Sequence, residues 1–165
     1  MKRIIFMRHG KAEDLLSGIS DLERSLTLKG KVVTRQITQK LKEKIKDPGT
    51  LITSPAFRAY ETAVIFAGEF GINAEKIKIS SIIYSRLDER SIMDILKLVD
   101  ETTDTVTLFG HNPAFTNLSG YFCKESCDVV PKSGIVCLKF GVSKWSEIKP
   151  RTADAELILK PKHLL

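Results

Sequence analysis

Cysteine is scarce in this chain and falls into no pattern that would organise a fold. Cys123, Cys127 and Cys137 are odd in number and contain no CxxC pair, which argues against a disulfide framework, a closed zinc site and a redox couple. All three are expected as reduced thiols, the alternative being a disulfide or metal site at Cys123 and Cys127 that lacks its other ligands. Long apolar runs are missing too, so no membrane span is expected. Met1-Lys2-Arg3 is followed by only four apolar residues before Arg8, too few for a signal peptide, and the expected location is the cytoplasm. There is no repeat, linker or low-complexity stretch, and 165 residues suffice for one core, so 1–165 reads as a single domain.

Net charge is +6, which favours acidic partners in general. The densest basic stretch, Lys40 to Lys46, interleaves apolar residues and Glu43 at helical spacing, as a solvated helix face does. No aromatic-rich basic strand accompanies it, so nucleic acid is not the expected partner. Nothing calls for an obligate interface, and a monomer is expected.

What the chain does contain is a set of apolar runs that stop at charged or imidazole side chains. Ile4-Ile5-Phe6-Met7 reads as a buried strand and ends in Arg8-His9-Gly10. A polar loop over residues 11–23 follows, with turn-forming Ser17-Gly18 and Ser20-Asp21. Val33, Ile37, Leu41 and Ile45 recur every four residues, predicting an amphipathic helix that Asp47-Pro48-Gly49 ends. Thr50 to Thr53 reads as a second strand. Ser54-Pro55 then predicts an N-cap and a first-turn proline, with Arg58 in the first turn of a helix that runs to about Phe70 and Gly71. A third strand is expected over Ile77 to Ile83, then a polar loop through Arg90 and a helix from Ser91 to Val99. Thr105 to Phe109 forms another strand, and Gly110-His111-Asn112-Pro113 repeats the cap and proline pattern. Gly134 to Phe140, Lys144 to Ile148 and Ala155 to Leu159 look like an antiparallel meander at one sheet edge.

Alternating strands and helices predict an α/β fold with a mainly parallel central sheet, helices on both faces and a β-rich C-terminal edge. In such a sheet, ligands bind beyond the carboxyl ends of the strands. Arg8 with His9, Arg58, and His111 stand at three such ends. Two guanidinium forks and two imidazoles suit a phosphoryl group, and a neutral imidazole is a competent nucleophile toward phosphorus. Two arginines would repel a divalent metal, and no carboxylate cluster is nearby to hold one, so neither metal nor other cofactor is expected.

Arg8-His9-Gly10, Ser54-Pro55-Ala56-Phe57-Arg58-Ala59 with Thr62, and Gly110-His111-Asn112-Pro113 resemble the motifs of the histidine phosphatase superfamily, and the short chain resembles its SixA-type phosphohistidine phosphatases. Arg24 to Gly30, Pro131-Lys132-Ser133-Gly134, and Trp145 with the strand from Ala155 extend the likeness over nearly the whole chain. The resemblance implies a phosphoglycerate-mutase-like fold and a role for each matched residue. His9 would be the nucleophile that becomes phosphorylated, Arg8 and Arg58 would clamp the phosphoryl oxygens, and His111 would bond the same group. Arg24 would be a rim contact, its alternative being a surface arginine at a helix entry. A phosphate or sulfate ion would bind there.

A general acid is less plain. Asp88 and Glu89 are the candidates, yet they fit no convincing acid motif, and a charged loop capping the next helix explains them better. SixA-type members resemble this chain in lacking a clear acid, and an imidazole leaving from a P–N bond needs less protonation help than an alkoxide. The reading is therefore a phosphatase for phosphohistidine on a signalling or phosphotransfer protein. Its alternatives are a small-molecule phosphomonoesterase using Asp88 or Glu89, and a non-catalytic phospho-ligand binding module.

Overall fold

The computed structural model describes residues 1–164. Its centre is one six-stranded sheet in the order β3-β2-β4-β1-β5-β6, with β1 at Lys2–Arg8, β2 at Thr50–Thr53, β3 at Lys78–Ile79, β4 at Thr105–Gly110, β5 at Ile135–Phe140 and β6 at Asp154–Leu159. Pairings from β3 through β1 are parallel, while β1–β5 and β5–β6 are antiparallel. The expected mainly parallel sheet with a β-rich C-terminal edge is what the chain forms.

β1 lies inside the sheet and is covered on both sides, which explains its unbroken apolar run. Ile4 and Phe6 enter one core with Ile92, Ile95, Phe115 and Leu118, whereas Ile5 and Met7 enter the other with Ile37, Leu41 and Phe66. The helices α1 (Leu28–Lys44) and α2 (Phe57–Phe70) therefore close one face. The other is closed by α3 (Ser81–Ser85), α4 (Ser91–Leu96) and α5 (Ala114–Phe122). Thr27 caps α1 by accepting from the Gly30 N–H, and Gly71 ends α2 in the left-handed conformation.

Four expectations need correction. The strand foreseen over residues 77–83 is only Lys78–Ile79, because β2 ends at Thr53, opposite Ile79, and leaves nothing for the next residues to pair with. The chain turns into α3 instead, which buries Ile83. The strand foreseen at residues 144–148 is a 3-10 turn, Trp145–Glu147. There the Glu147 carboxylate gathers the Ser143 and Lys144 N–H groups, and Trp145 is buried with the Lys2 ammonium 5.1 Å from its ring. The predicted caps are displaced as well: α2 starts after Ala56 and α5 after a cis Asn112–Pro113 bond. Asn112 Oδ1 still accepts the Thr116 N–H in the first turn of α5 while its Nδ2 donates to the Val130 carbonyl, and Ser54 Oγ accepts the Ala56 N–H just ahead of α2. Finally, Cys123 and Cys127 are not reduced thiols but are joined as a disulfide, the chain folding back just beyond α5 to bring them together, while Cys137 is free and buried.

Candidate active site

The sheet order decides which strand ends meet. β4 lies between β1 and β2, with Arg8 opposite Gly110 and Thr53 opposite Phe109. The residues that follow, His9, Ser54 and His111, therefore leave the sheet side by side. Two backbone bonds fix their level: His9 N–H donates to the Gly110 carbonyl at 3.0 Å and Ser54 N–H to the Phe109 carbonyl at 3.0 Å. The two imidazoles stand 5.2 Å apart between centroids.

His9 is buried, and its Nδ1 lies 2.7 Å from the Gly10 carbonyl oxygen. A carbonyl only accepts, so Nδ1 carries the proton and the Nε2 lone pair is left for a substrate. Burial pushes the imidazole down to about 3, with the charges of His111, Arg58 and Arg8 adding to the effect and the Gly10 bond opposing it. His9 is thus neutral throughout the physiological range.

The turn that presents His9 is held tightly. A Cβ on Gly10 would come within 2.7 Å of Thr34 Oγ1 and 3.0 Å of the Gly30 carbonyl, and one on Gly30 would collide with the Lys11 carbonyl. Helix α1 can therefore approach the loop only because both positions are glycine. Gly10 N–H donates to Thr62 Oγ1 at 3.2 Å, and that hydroxyl donates to the Arg58 carbonyl at 2.7 Å, tying the loop that carries His9 to α2. From the far side, Ser133 N–H donates to the His9 carbonyl and Arg8 N–H to the Gly134 carbonyl.

Arg8 donates through Nη1 to the Val130 carbonyl at 3.1 Å, while its Nε is buried and has no partner among the described residues. Burial lowers its pKa. His111 bonds Ser54 Oγ through Nε2 at 2.8 Å, and its Nδ1 is likewise buried with no partner among the described residues. Buried polar atoms are normally satisfied, so these two mark where a polar ligand belongs. Burial pushes His111 down to about 4, helped by Arg58 and Arg8 and opposed by Asp21.

Arg58, in the first turn of α2, is 7% exposed and is gripped through both terminal nitrogens by one residue. Nη1 donates to the Asp21 carbonyl at 2.7 Å and Nη2 to Asp21 Oδ2 at 2.9 Å. The same Oδ2 accepts from the Tyr84 hydroxyl at 2.8 Å, and Oδ1 accepts from Arg24 Nη1 at 2.9 Å. Although burial works against it, hydrogen bonds from Tyr84, Arg24 and Arg58 hold this carboxyl well below the usual carboxylate range. Tyr84 sets its ring edge against His111 with centroids 5.7 Å apart. Arg24 also donates to the Glu13 carbonyl, which places it at the rim, one residue removed from Arg58.

The foreseen set of Arg8, His9, Arg58 and His111 is thus brought to one place, with Arg24 beside it. Asp88 and Glu89 are not joined to these residues by any hydrogen bond or ion pair among the described residues. Asp88 Oδ1 instead accepts the N–H groups of Arg90 and Ser91 at the start of α4, which lowers its pKa. Asp21, Tyr84 and the Ser54 hydroxyl are site residues that sequence reasoning missed. The only signal for Asp21 is its position three residues before Arg24. No cluster of three or more His, Cys, Asp or Glu side chains arranged for a metal occurs among the described residues.

A family model described as histidine phosphatase superfamily (branch 1) matches residues 4–115. No curated protein matches the chain. Among solved structures it is similar to a protein histidine phosphatase SixA complexed with tungstate, at TM-score 0.79 and 20% identity over 99% of both chains. A protein named as phosphohistidine phosphatase SixA from Agrobacterium tumefaciens aligns at TM-score 0.78 and 22% identity over 97% of this chain and 98% of that one. The mycobacterial glucosyl-3-phosphoglycerate phosphatase bound to inorganic phosphate follows at TM-score 0.62 and 15% identity, over 93% and 96%. At these identities the likeness is one of fold.

Proposed function

The chain belongs to branch 1 of the histidine phosphatase superfamily, and within it we propose a metal-independent phosphohistidine phosphatase that works through a phospho-His9 intermediate. The observation that carries the chemistry is the His9 Nδ1 bond to the Gly10 carbonyl, which leaves a neutral Nε2 lone pair among two guanidinium groups and a second imidazole. Nε2 attacks phosphorus, the bond to the leaving group breaks, and its electron pair departs with that group. Arg8, Arg58 and His111 hold the equatorial oxygens during the transfer, where the charge is spread. Water then attacks phospho-His9, the new O–P bond forming as the N–P bond breaks, and releases phosphate with His9 restored. The two arginines supply the positive charge that other phosphoryl-transfer sites take from a metal.

Asp21 bears on the substrate class. It is the carboxylate in direct contact with the clamp, and three donors keep it ionised, so it cannot supply the proton that an alkoxide leaving group requires. Asp88 is committed to α4 in the same ionised state. A P–N substrate avoids the requirement, since its imidazole takes a proton from solvent before the bond breaks. SixA structures share the fold over the full chain, and one of them holds the oxyanion tungstate, which accords with this reading.

The test is the ratio of kcat/KM on a phosphohistidine peptide to that on p-nitrophenyl phosphate, with His9→Ala as blank. A large ratio, lost in the blank, supports the proposal. A ratio near or below one, with activity that depends on Asp88 or Glu89, moves the protein to the small-molecule phosphomonoesterases.

A further inference from the structure

Resting on that phosphohistidine reading, we propose that Asp21 meets the leaving group: its carboxylate accepts the ring N–H of the departing substrate imidazole and so selects protonated P–N substrates over phosphate esters. The placement follows from the direction of the reaction. An in-line displacement expels its leaving group on the side opposite the nucleophile. His9 and Arg58 are each 7% exposed, whereas the Asp21 side chain is 41% exposed and Tyr84 37%, so the contacts of Arg58 with Asp21 and of His111 with Tyr84 lead from the buried residues to the mouth of the site. Asp21 stands at that mouth and touches the phosphoryl clamp through Arg58 Nη2 at 2.9 Å.

Its position is fixed. Oδ2 is held by Arg58 and Tyr84, and among the described residues Oδ1 is held by Arg24 alone, so Oδ1 keeps a lone pair for a further donor. Merely bracing Arg58 would not require the contacts to Tyr84 and Arg24 that hold the carboxylate at the opening.

The chemistry explains why an anion belongs there. Phosphohistidine carries phosphorus on one ring nitrogen. When the other nitrogen is protonated, breaking the P–N bond returns the electron pair to a cationic ring, which leaves as neutral imidazole; when it is not, an imidazolate anion must be expelled. A fixed carboxylate on that N–H favours the protonated ring without exchanging a proton itself. The same carboxylate opposes the negative charge that grows on a departing alkoxide or phenolate.

The experiment compares wild type with Asp21→Asn on three substrates: phosphoimidazole, its N-methylated cation, which has no N–H to donate, and p-nitrophenyl phosphate. A hydrogen bond to a charged group implies that Asp21→Asn lowers kcat/KM on phosphoimidazole by about 10- to 100-fold relative to the other two. Asparagine keeps the size and one acceptor oxygen, and inhibition by inorganic phosphate reports whether the clamp is intact. An equal fall on all three substrates would mean that Asp21 only positions Arg58, which overturns the proposal. So would no change on any of them. The N-methyl comparison in wild type needs no mutation, and equal use of both rings after correction for their intrinsic reactivity also overturns it. Wild type that cleaves the phenyl ester but neither phosphoimidazole defeats the phosphohistidine reading itself, and the role of Asp21 falls with it.

Discussion

Lowering the pH from 7 to 5 should destabilise the protein through the two buried histidines of the candidate site. In the folded state burial holds His9 at about 3 and His111 at about 4, whereas both titrate near 6.5 once unfolded. Between those limits the unfolded chain binds protons that the folded one refuses, so stability rises with pH and is lost as pH falls below 6.5. At pH 5 the unfolded imidazoles lie about 1.5 units inside the protonating range, which is about 2 kcal/mol for each histidine and about 4 for the pair. The lowered aspartates contribute little in this window. Asp21 and Asp88 are lowered from 3.8, so their stabilisation is lost only below about pH 4. Urea unfolding in phosphate-free buffer measures the effect, because bound phosphate would itself stabilise the fold. With a slope of about 1–3 kcal/mol per molar urea, the midpoint should fall by at least about 1 M. The double variant His9→Asn, His111→Asn should lose little over the same interval, and the difference between it and wild type cancels groups common to both. A wild type as stable at pH 5 as at pH 7, or a double variant that loses as much as wild type, would refute the neutral, buried imidazole pair.

Two further perturbations separate the clamp from its support. Arg58→Ala removes the guanidinium joined to Asp21 and should cost about 3 kcal/mol of transition-state stabilisation, a fall in kcat/KM on the order of 10²-fold, measured on the same two substrates; an unchanged rate would remove Arg58 from the site. Thr62→Val keeps the volume but leaves the Gly10 N–H without its acceptor in a buried loop, so thermal or urea unfolding should show a loss of about 1–3 kcal/mol, and wild-type stability would show that this bond does not hold the nucleophile's turn.

Arg8, His9 and His111 are legible in the sequence because their surroundings are local: an apolar run that must be a strand, then a charged or imidazole side chain where that strand has to end. Arg58 is legible for a related reason, since a strand and a helix start four residues apart leave the arginine little choice of position. Convergence needs one further fact, that β4 inserts between β1 and β2, and alternating strands and helices do not determine strand order. Residues 77–83 show the same limit from the other side. Their apolar alternation suits a strand, but pairing stops where β2 runs out, so the length of an edge strand is decided by its neighbour. Asp21 is the least legible of all. It sits in a polar turn, and its partners Arg58 and Tyr84 lie 37 and 63 residues away, a separation at which periodicity carries no information. Arg8, His9 and His111 stand at strand ends that the sheet must place, while Asp21 is placed by a loop that brings it to Arg58. The four residues at strand ends can therefore be found from the order of the chain, whereas the carboxylate that braces Arg58 is found only from contacts.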